Sequence, residues 1–349
     1  MESILKKTSN WYRCVGHVYE KALTKEDCKV KIYKDGKPTG DEVDAECIKG
    51  SVAVKTDNGI VTFNVYFASM NMQGEPSKDW AMAQAMMDKW NPIVNGNGDE
   101  PTLVNIEGSV EPNDYKNPTT NKLVYNLRYR IRRANTRVNP DDAQGMSIRA
   151  TCYINKIIHE VRNEEETGRL LVELLAANNK GECFPIPTIV EEDLADTFES
   201  TYEAEQTVNF DIDVFVKHIG GQKSDKRAFG KKSAVSVNSG FDVTELIIVG
   251  ADDPIEEPDE LTTVNEETGE EVEVPTNWIN PVTMKKAIKM RRQKLDEMEK
   301  NGSTYKKSGE SFADKKAKKA SQMKTNTMPK PKEPYHDEAP FDTDEEEDF

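Results

Sequence analysis

The chain lacks any apolar run approaching the length of a membrane span, and its opening segment MESILKKTSNWYRCVGH holds no apolar core of the export type. Insertion and secretion are therefore not expected, no membrane partner is expected, and the chain reads as cytoplasmic. It is also short of core-forming residues: 36% are hydrophobic and 7% aromatic, and the mean hydropathy is -0.75. A good fraction of the 349 residues therefore packs no core. Signatures of catalysis are missing too. There is no GxSxG, HExxH or CxxC, and the glycine-rich stretch ending in GKKS lacks the G-x-x-x-x-G-K-[ST] spacing that wraps a nucleoside triphosphate. No enzymatic activity and no cofactor are expected. The five cysteines form an odd set without paired spacing, as reduced thiols would. Cys14 and His17, joined by Cys28 and Cys47, make a Cys3His zinc set on paper. Their irregular spacing favours buried thiols, and no metal is expected.

What the chain has in quantity is charge, and the charge is segregated. The net value of -16 conceals eleven acidic residues and no Lys or Arg over 250–275, and eight acidic residues with no Lys or Arg over 337–349. Between them, 283–332 carries sixteen Lys/Arg against five Asp/Glu. The overall acidity thus says little about any one face.

Two series of elements precede these blocks. In IKGSVAVKTDNGIVTFNVYFAS, two β-rich runs flank an Asn-Gly turn, and Val61, Phe63, Val65 and Phe67 alternate with polar residues. SKDWAMAQAMMDKW predicts a Ser-capped helix with Trp80, Met82, Ala83, Met86 and Met87 on its apolar side. Strands TLVNIEGSVE and LVYNLRYRIRR follow, separated by a polar loop. The second series keeps this order: SIRATCYINKIIHEV, RLLVELLAA, FPIPTIV, a helix in EEDLADTFESTY, then VNFDIDVFVKHI and GFDVTELIIVG. His159 within the first of these strands has no partner in view. Five short strands with a helix before the fourth is the layout of the OB-fold, a small Greek-key barrel that binds oligonucleotides on strands two and three and their flanking loops. A pair of β-sandwich or jelly-roll modules fits less well, since each half has too few strands. The expectation is a mainly β chain of two OB-fold-like five-stranded barrels, each with one inserted helix, and a largely disordered C-terminal region. The boundaries read as 1–138 and 139–250 for the barrels, 251–282 for an acidic linker, 283–336 for a basic helix and disordered segment, and 337–349 for an acidic interaction tail.

In the strand VYNLRYRIRR, period-two alternation puts Arg128, Arg130 and Arg132 on one face and Tyr125, Leu127, Tyr129 and Ile131 on the other. A guanidinium row spaced by about 7 Å matches successive phosphates of an extended single strand. Arg133 and Arg137 extend it. In the second series the loop GGQKSDKRAFGKKSAVSVNSG sets Lys223, Lys226, Arg227, Lys231 and Lys232 around Phe229, which suits phosphate attraction combined with base stacking. Tyr115 and Lys116 occupy the equivalent loop of the first series, and Tyr66 lies on the polar face of its hairpin as a further stacking platform. Solvated strand faces and edge aromatics are the ordinary alternative for each.

The last residues read FDTDEEEDF. A barrel of this type followed by an acidic end closing on Phe resembles the single-stranded DNA-binding proteins of bacteria and bacteriophages. Asp337-Glu338-Ala339-Pro340-Phe341 is similar to the acidic Pro-Phe tip of the bacterial proteins. Glu345-Glu346-Glu347-Asp348-Phe349 is similar to the phage replication version, which would place the chain in a host bacterial cytoplasm. The resemblance implies a protein that coats exposed single strands in replication, recombination and repair. It further implies a tail, here Phe341, Asp344, Glu345, Glu346, Glu347, Asp348 and Phe349, that docks on a polymerase, helicase or primase and competes with DNA for the chain's own basic groove. Two barrels in one chain and the longer basic segment depart from the bacterial pattern. An RNA-binding or strand-annealing factor shares the same basic features, and a virion or assembly scaffold is the reading of another class.

Overall fold

A computed structural model describes residues 5–34, 36–117, 120–139, 141–178, 180–219, 241–258, 262–264, 271–273 and 276–300. The described residues belong to one compact unit.

The first series builds β1 (Asn10–Lys34), β2 (Lys37–Thr56), β3 (Gly59–Ala68), α1 (Trp80–Lys89), β4 (Leu103–Pro112), the two-residue strands β5 (Tyr115–Lys116) and β6 (Leu123–Val124), and β7 (Leu127–Asn135). Antiparallel ladders join β3 to β2, β2 to β1, β1 to β4 and β4 to β7. This is the OB order with the helix before the fourth long strand. Among the described residues no ladder joins β3 to β7, so this barrel is open on that side. The alternation expected for β3 is present: Val61, Phe63 and Val65 are buried, whereas Thr62, Asn64 and Tyr66 face out.

The second series builds β8 (Met146–Arg162), β9 (Glu165–Ala177), β10 (Cys183–Val190), α2 (Glu192–Thr201), β11 (Thr207–Ile219) and β12 (Phe241–Ala251). Here the ring closes, with β8 on β9, β9 on β10, β10 parallel to β12 through Ile189 and Ile247, β12 on β11, and β11 back on β8. The expectation of two five-stranded barrels with one inserted helix each is met by this pairing.

The barrels are fused. The start of β1 lies between β4 and β8, pairing Asn10–Cys14 with Met146–Ala150, and one cluster of buried side chains runs from Tyr12 and Phe63 to Phe184 and Phe210. The β2–β3 turn supplies a second junction. Gly59 has φ 118° and the Asn58 carbonyl accepts the Val216 N–H at 2.8 Å. A Cβ on Gly59 would sit 2.2 Å from the Val216 carbonyl oxygen, so sterics as well as the backbone angle require glycine.

After β12 come the short pair β13 (Thr262–Val264) and β14 (Glu271–Glu273), then α3 (Pro281–Lys300). The acidic stretch is thus not simply a loop: it contains this pair, and Ile255 N–H donates to the Thr207 carbonyl at 2.8 Å. Met284 and Ala287 of α3 are buried with Tyr153, Leu175, Ala177 and Cys183 of the second barrel. No described helix is long and apolar enough to cross a membrane.

Several local expectations need correction. The long first strand β1 and the outer half of β2 carry too many charges to stand out in the sequence. Among the described residues no third strand pairs with their hairpin over 25–46, and the loop after β3 braces it through Tyr33 N–H to Met72 O and Ser69 N–H to Glu46 O, both 2.8 Å. LVYNLRYRIRR is not one strand. It breaks at Tyr125-Asn126, because Leu123-Val124 turns back onto Tyr115-Lys116. Ser77 does not cap α1: Asp79 holds the cap position without a side-chain bond, and Ser77 Oγ accepts the Asp79 N–H at 3.4 Å. His159 does have a partner, Glu199 of α2 at 3.2 Å.

Candidate nucleic-acid interface

Arg128 and Arg130 alternate outward on β7 as expected, but Arg132 does so for a different reason. The ladder slips between Gly108, opposite Ile131, and Glu107, opposite Arg133, leaving Arg132 as the extra residue of a bulge. The bulge resets the alternation, so Ile131 and Ala134 turn inward and Arg133 and Asn135 outward. Gly108 permits the close approach, since a Cβ there would lie 1.8 Å from the Arg130 carbonyl oxygen. Tyr125 is also displaced from its expected company of Leu127, Tyr129 and Ile131: beyond the strand break it is 59% exposed.

Glu111 of β4 gathers three guanidiniums. Arg128 donates to it at 2.8 Å, and Arg130 and Arg132 stand 3.5 and 3.8 Å from its other oxygen. Burial pushes the Glu111 carboxyl up, but the Arg128 hydrogen bond and the fields of Arg130, Arg128 and Arg132 outweigh it and hold the group below the usual carboxylate range. The carboxylate is only 14% exposed, whereas Arg128 and Arg130 are about half exposed. The cluster therefore sets three guanidiniums against one recessed anion, with Asp79 adding a second negative field at Arg132, and turns Arg128 and Arg130 to solvent. Arg133 follows past the bulge, and Arg137 beyond β7 has its N–H on Asn135 Oδ1 at 3.0 Å.

Tyr66 belongs to a separate group. It is 62% exposed, faces Lys49 across the ladder and neighbours Cys28. Lys49 is ion-paired with Glu26. Burial, then the neighbouring Cys28 and Cys47, raise the phenol above its ordinary value, so the ring is neutral at physiological pH. Tyr115 sits on the β5–β6 hairpin, 39% exposed. Lys116 beside it donates to the Glu299 carbonyl at 2.7 Å, so its ammonium caps the C-terminal turn of α3. Lys223, Lys226, Arg227, Phe229, Lys231 and Lys232, between β11 and β12, lie outside the described residues, as do Phe341 and Asp344 to Phe349.

The zinc set is not assembled. Cys14 is buried in the first barrel, where burial pushes its thiol up to about 12, and His17 Nδ1 meets Gln144 Oε1 at 3.1 Å. Cys28 and Cys47 neighbour each other across the β1–β2 ladder. Among the described residues no group of three or more His, Cys, Asp or Glu side chains is placed to hold a metal.

The family model for YorF matches residues 15–274, a span that takes in both barrels. The chain belongs to the YorF family. No curated protein matches this family member. Solved structures that resemble it include a deletion mutant and the wild-type form of the single-stranded DNA binding protein from Thermus aquaticus, each 11% identical. They cover 73% of this chain and 99% and 97% of their own, with TM-scores of 0.36 and 0.38. At those scores the assignment of two barrels in this YorF protein rests on its strand pairing and not on the likeness.

Sequence reasoning passed over Glu111, Tyr125 and Arg291. The first was legible in principle, because Glu111 ends a strand that must pair with the arginine strand. Arg291 was not: its partner Asp114 lies 177 positions away.

Proposed function

We propose that the chain is a sequence-tolerant single-stranded DNA-binding protein. The observation that carries this reading is the cluster on β7, where Arg128, Arg130 and Arg132 converge on the single recessed carboxylate of Glu111 on the outer surface of an OB barrel. A cluster of that kind attracts phosphates without reading bases. Exposed Tyr66 and Tyr115 offer ring faces to unstacked bases, each worth roughly 1–3 kcal/mol where used. The basic, Phe-bearing segment 220–240 would supply the same device to the second barrel. On this reading the protein coats single strands during replication, recombination and repair, and its acidic Phe-ended tail recruits a polymerase, helicase or primase.

The deciding experiment titrates the purified protein with fluorescent oligo-dT and with a duplex of equal length at two salt concentrations. Tighter binding to the single strand, weakening as salt rises, is the expected result. Equal affinity for the two ligands, or none for either, removes the proposal.

A further inference from the structure

Between the barrels lies a groove of about 600 Å³, within the range of small-molecule sites. One wall is the open side of the first barrel, where β3 and β7 face each other without a ladder. The opposite wall comes from β10 and β12 of the second. Leu127, Phe184, Pro187 and Leu246 supply apolar wall surface, and Thr62, Asn64, Asn126 and Thr244 set neutral polar groups among them.

The charges around this space argue against an anion inside it. Glu173 and Asp242 line it. Its inner cation, Arg291, is already consumed, donating to Asp114 at 2.6 Å and to the Cys183 carbonyl at 3.2 Å. A phosphate would meet the Glu173 carboxylate and a neutralised arginine. A neutral flat ring would meet apolar walls and a few hydrogen-bonding groups. Arg128 is the exception: it lines the groove and also belongs to the Glu111 cluster. Phosphates held on the arginine row thus bring the attached bases to the groove, and Tyr125, 59% exposed, stands beside Arg128 in the same lining.

We propose that the groove between the barrels takes one unstacked nucleobase of a strand whose phosphates lie on the arginine row, with Tyr125 as its stacking partner. The inference rests on the single-strand-binding reading and makes the two barrels one continuous track.

The test uses the full chain and two variants. Thr244→Trp fills the groove from an exposed β12 position, and Tyr125→Ala removes the ring at an exposed strand break without opening a core cavity. Ligands are oligo-dT and an abasic oligomer of equal length. Each variant is expected to lose about tenfold in oligo-dT affinity, the scale of one stacked base, while its salt dependence and its affinity for the abasic oligomer match wild type. Two variants that bind oligo-dT like wild type overturn the proposal, as does an equal loss toward both ligands. A wild-type chain that binds no single strand removes the functional reading itself, so the two failures are distinguishable.

Discussion

Replacing Arg128, Arg130 and Arg132 together with alanine tests the functional reading through a number. Each phosphate neutralised on a single strand contributes about 0.7 to the salt slope, so three independent arginines would contribute about 2.1. They are not independent. Glu111 stands 2.8, 3.5 and 3.8 Å from them and cancels about one charge, which leaves a net change of about 1.4. Over an approximately fourfold rise in salt, the affinity advantage of wild type should therefore shrink about sevenfold. The control is Glu111→Gln, which releases the cancelled charge and should steepen the slope by about 0.7. The pH dependence has a definite sign. The Glu111 pKa is lowered in the folded chain, so the carboxylate remains charged through and below the usual carboxylate range. Its contribution to stability is present above the unfolded value and is lost as pH falls through the lowered folded value. The slope should therefore be flat from neutral pH down to ordinary carboxylate values and steepen only below them. Fluorescence anisotropy with oligo-dT across salt and pH measures all of this. A triple variant that retains the wild-type slope would show that the row meets no phosphate, whatever its absolute affinity.

Gly59→Ala should destabilise the protein by roughly 2–5 kcal/mol in urea unfolding, because alanine meets both an unfavourable positive φ and the Val216 carbonyl; an unchanged midpoint would mean that the turn does not dock on β11. Deleting 337–349 should preserve or tighten oligo-dT binding while abolishing recruitment of a replication partner, and Phe349→Ala alone should lose the partner yet leave DNA binding as it is in the intact chain. Weaker DNA binding after the deletion contradicts the proposed competition between tail and strand.

The strand and helix order was readable because both barrels alternate strongly where one face is buried, as in Val61, Phe63 and Val65 of β3. Where burial ends, that signal ends. The outer half of the β1–β2 hairpin sets Lys29 opposite Asp44 and Lys31 opposite Glu42 on one face, and Cys28 opposite Ala45 and Val30 opposite Val43 on the other, which is only half buried and so gives a weaker signal than β3. The arginine row was readable as a pattern, but its geometry was not. The bulge at Arg132 depends on Gly108 in another strand, and the break at Tyr125 depends on a two-residue ladder with Tyr115-Lys116. Both are set by a partner strand, which a single run of residues does not contain. The fusion of the barrels was hidden for the same reason, since Asn10–Cys14 gives no sign that Met146–Ala150 lies beside it.

The basic segment after the barrels has two roles that composition merges. Arg291 and Lys294 point back to Asp114 and Glu182, each at 2.6 Å, and Lys116 reaches the Glu299 carbonyl, so α3 ties the β5–β6 hairpin of the first barrel to the second. Arg291 and Asp114 are 16% and 13% exposed, and breaking such a pair from one side leaves a poorly solvated charge. These cations are therefore structural and contribute little to any salt dependence. Lys286, Lys289 and Arg292 are exposed on the same helix. With Lys300 at the helix end they are exposed cations for which no ion pair is seen among the described residues, and they lie on the element that also forms part of the groove wall through Arg291. On the single-strand-binding reading proposed above, a strand following the arginine row past the groove would reach this helix, which would add the start of the basic segment 283–336 to the binding surface. Charge-reversal of Lys286, Lys289 and Arg292 should lower the salt slope without lowering thermal stability, whereas Arg291→Ala should do the reverse.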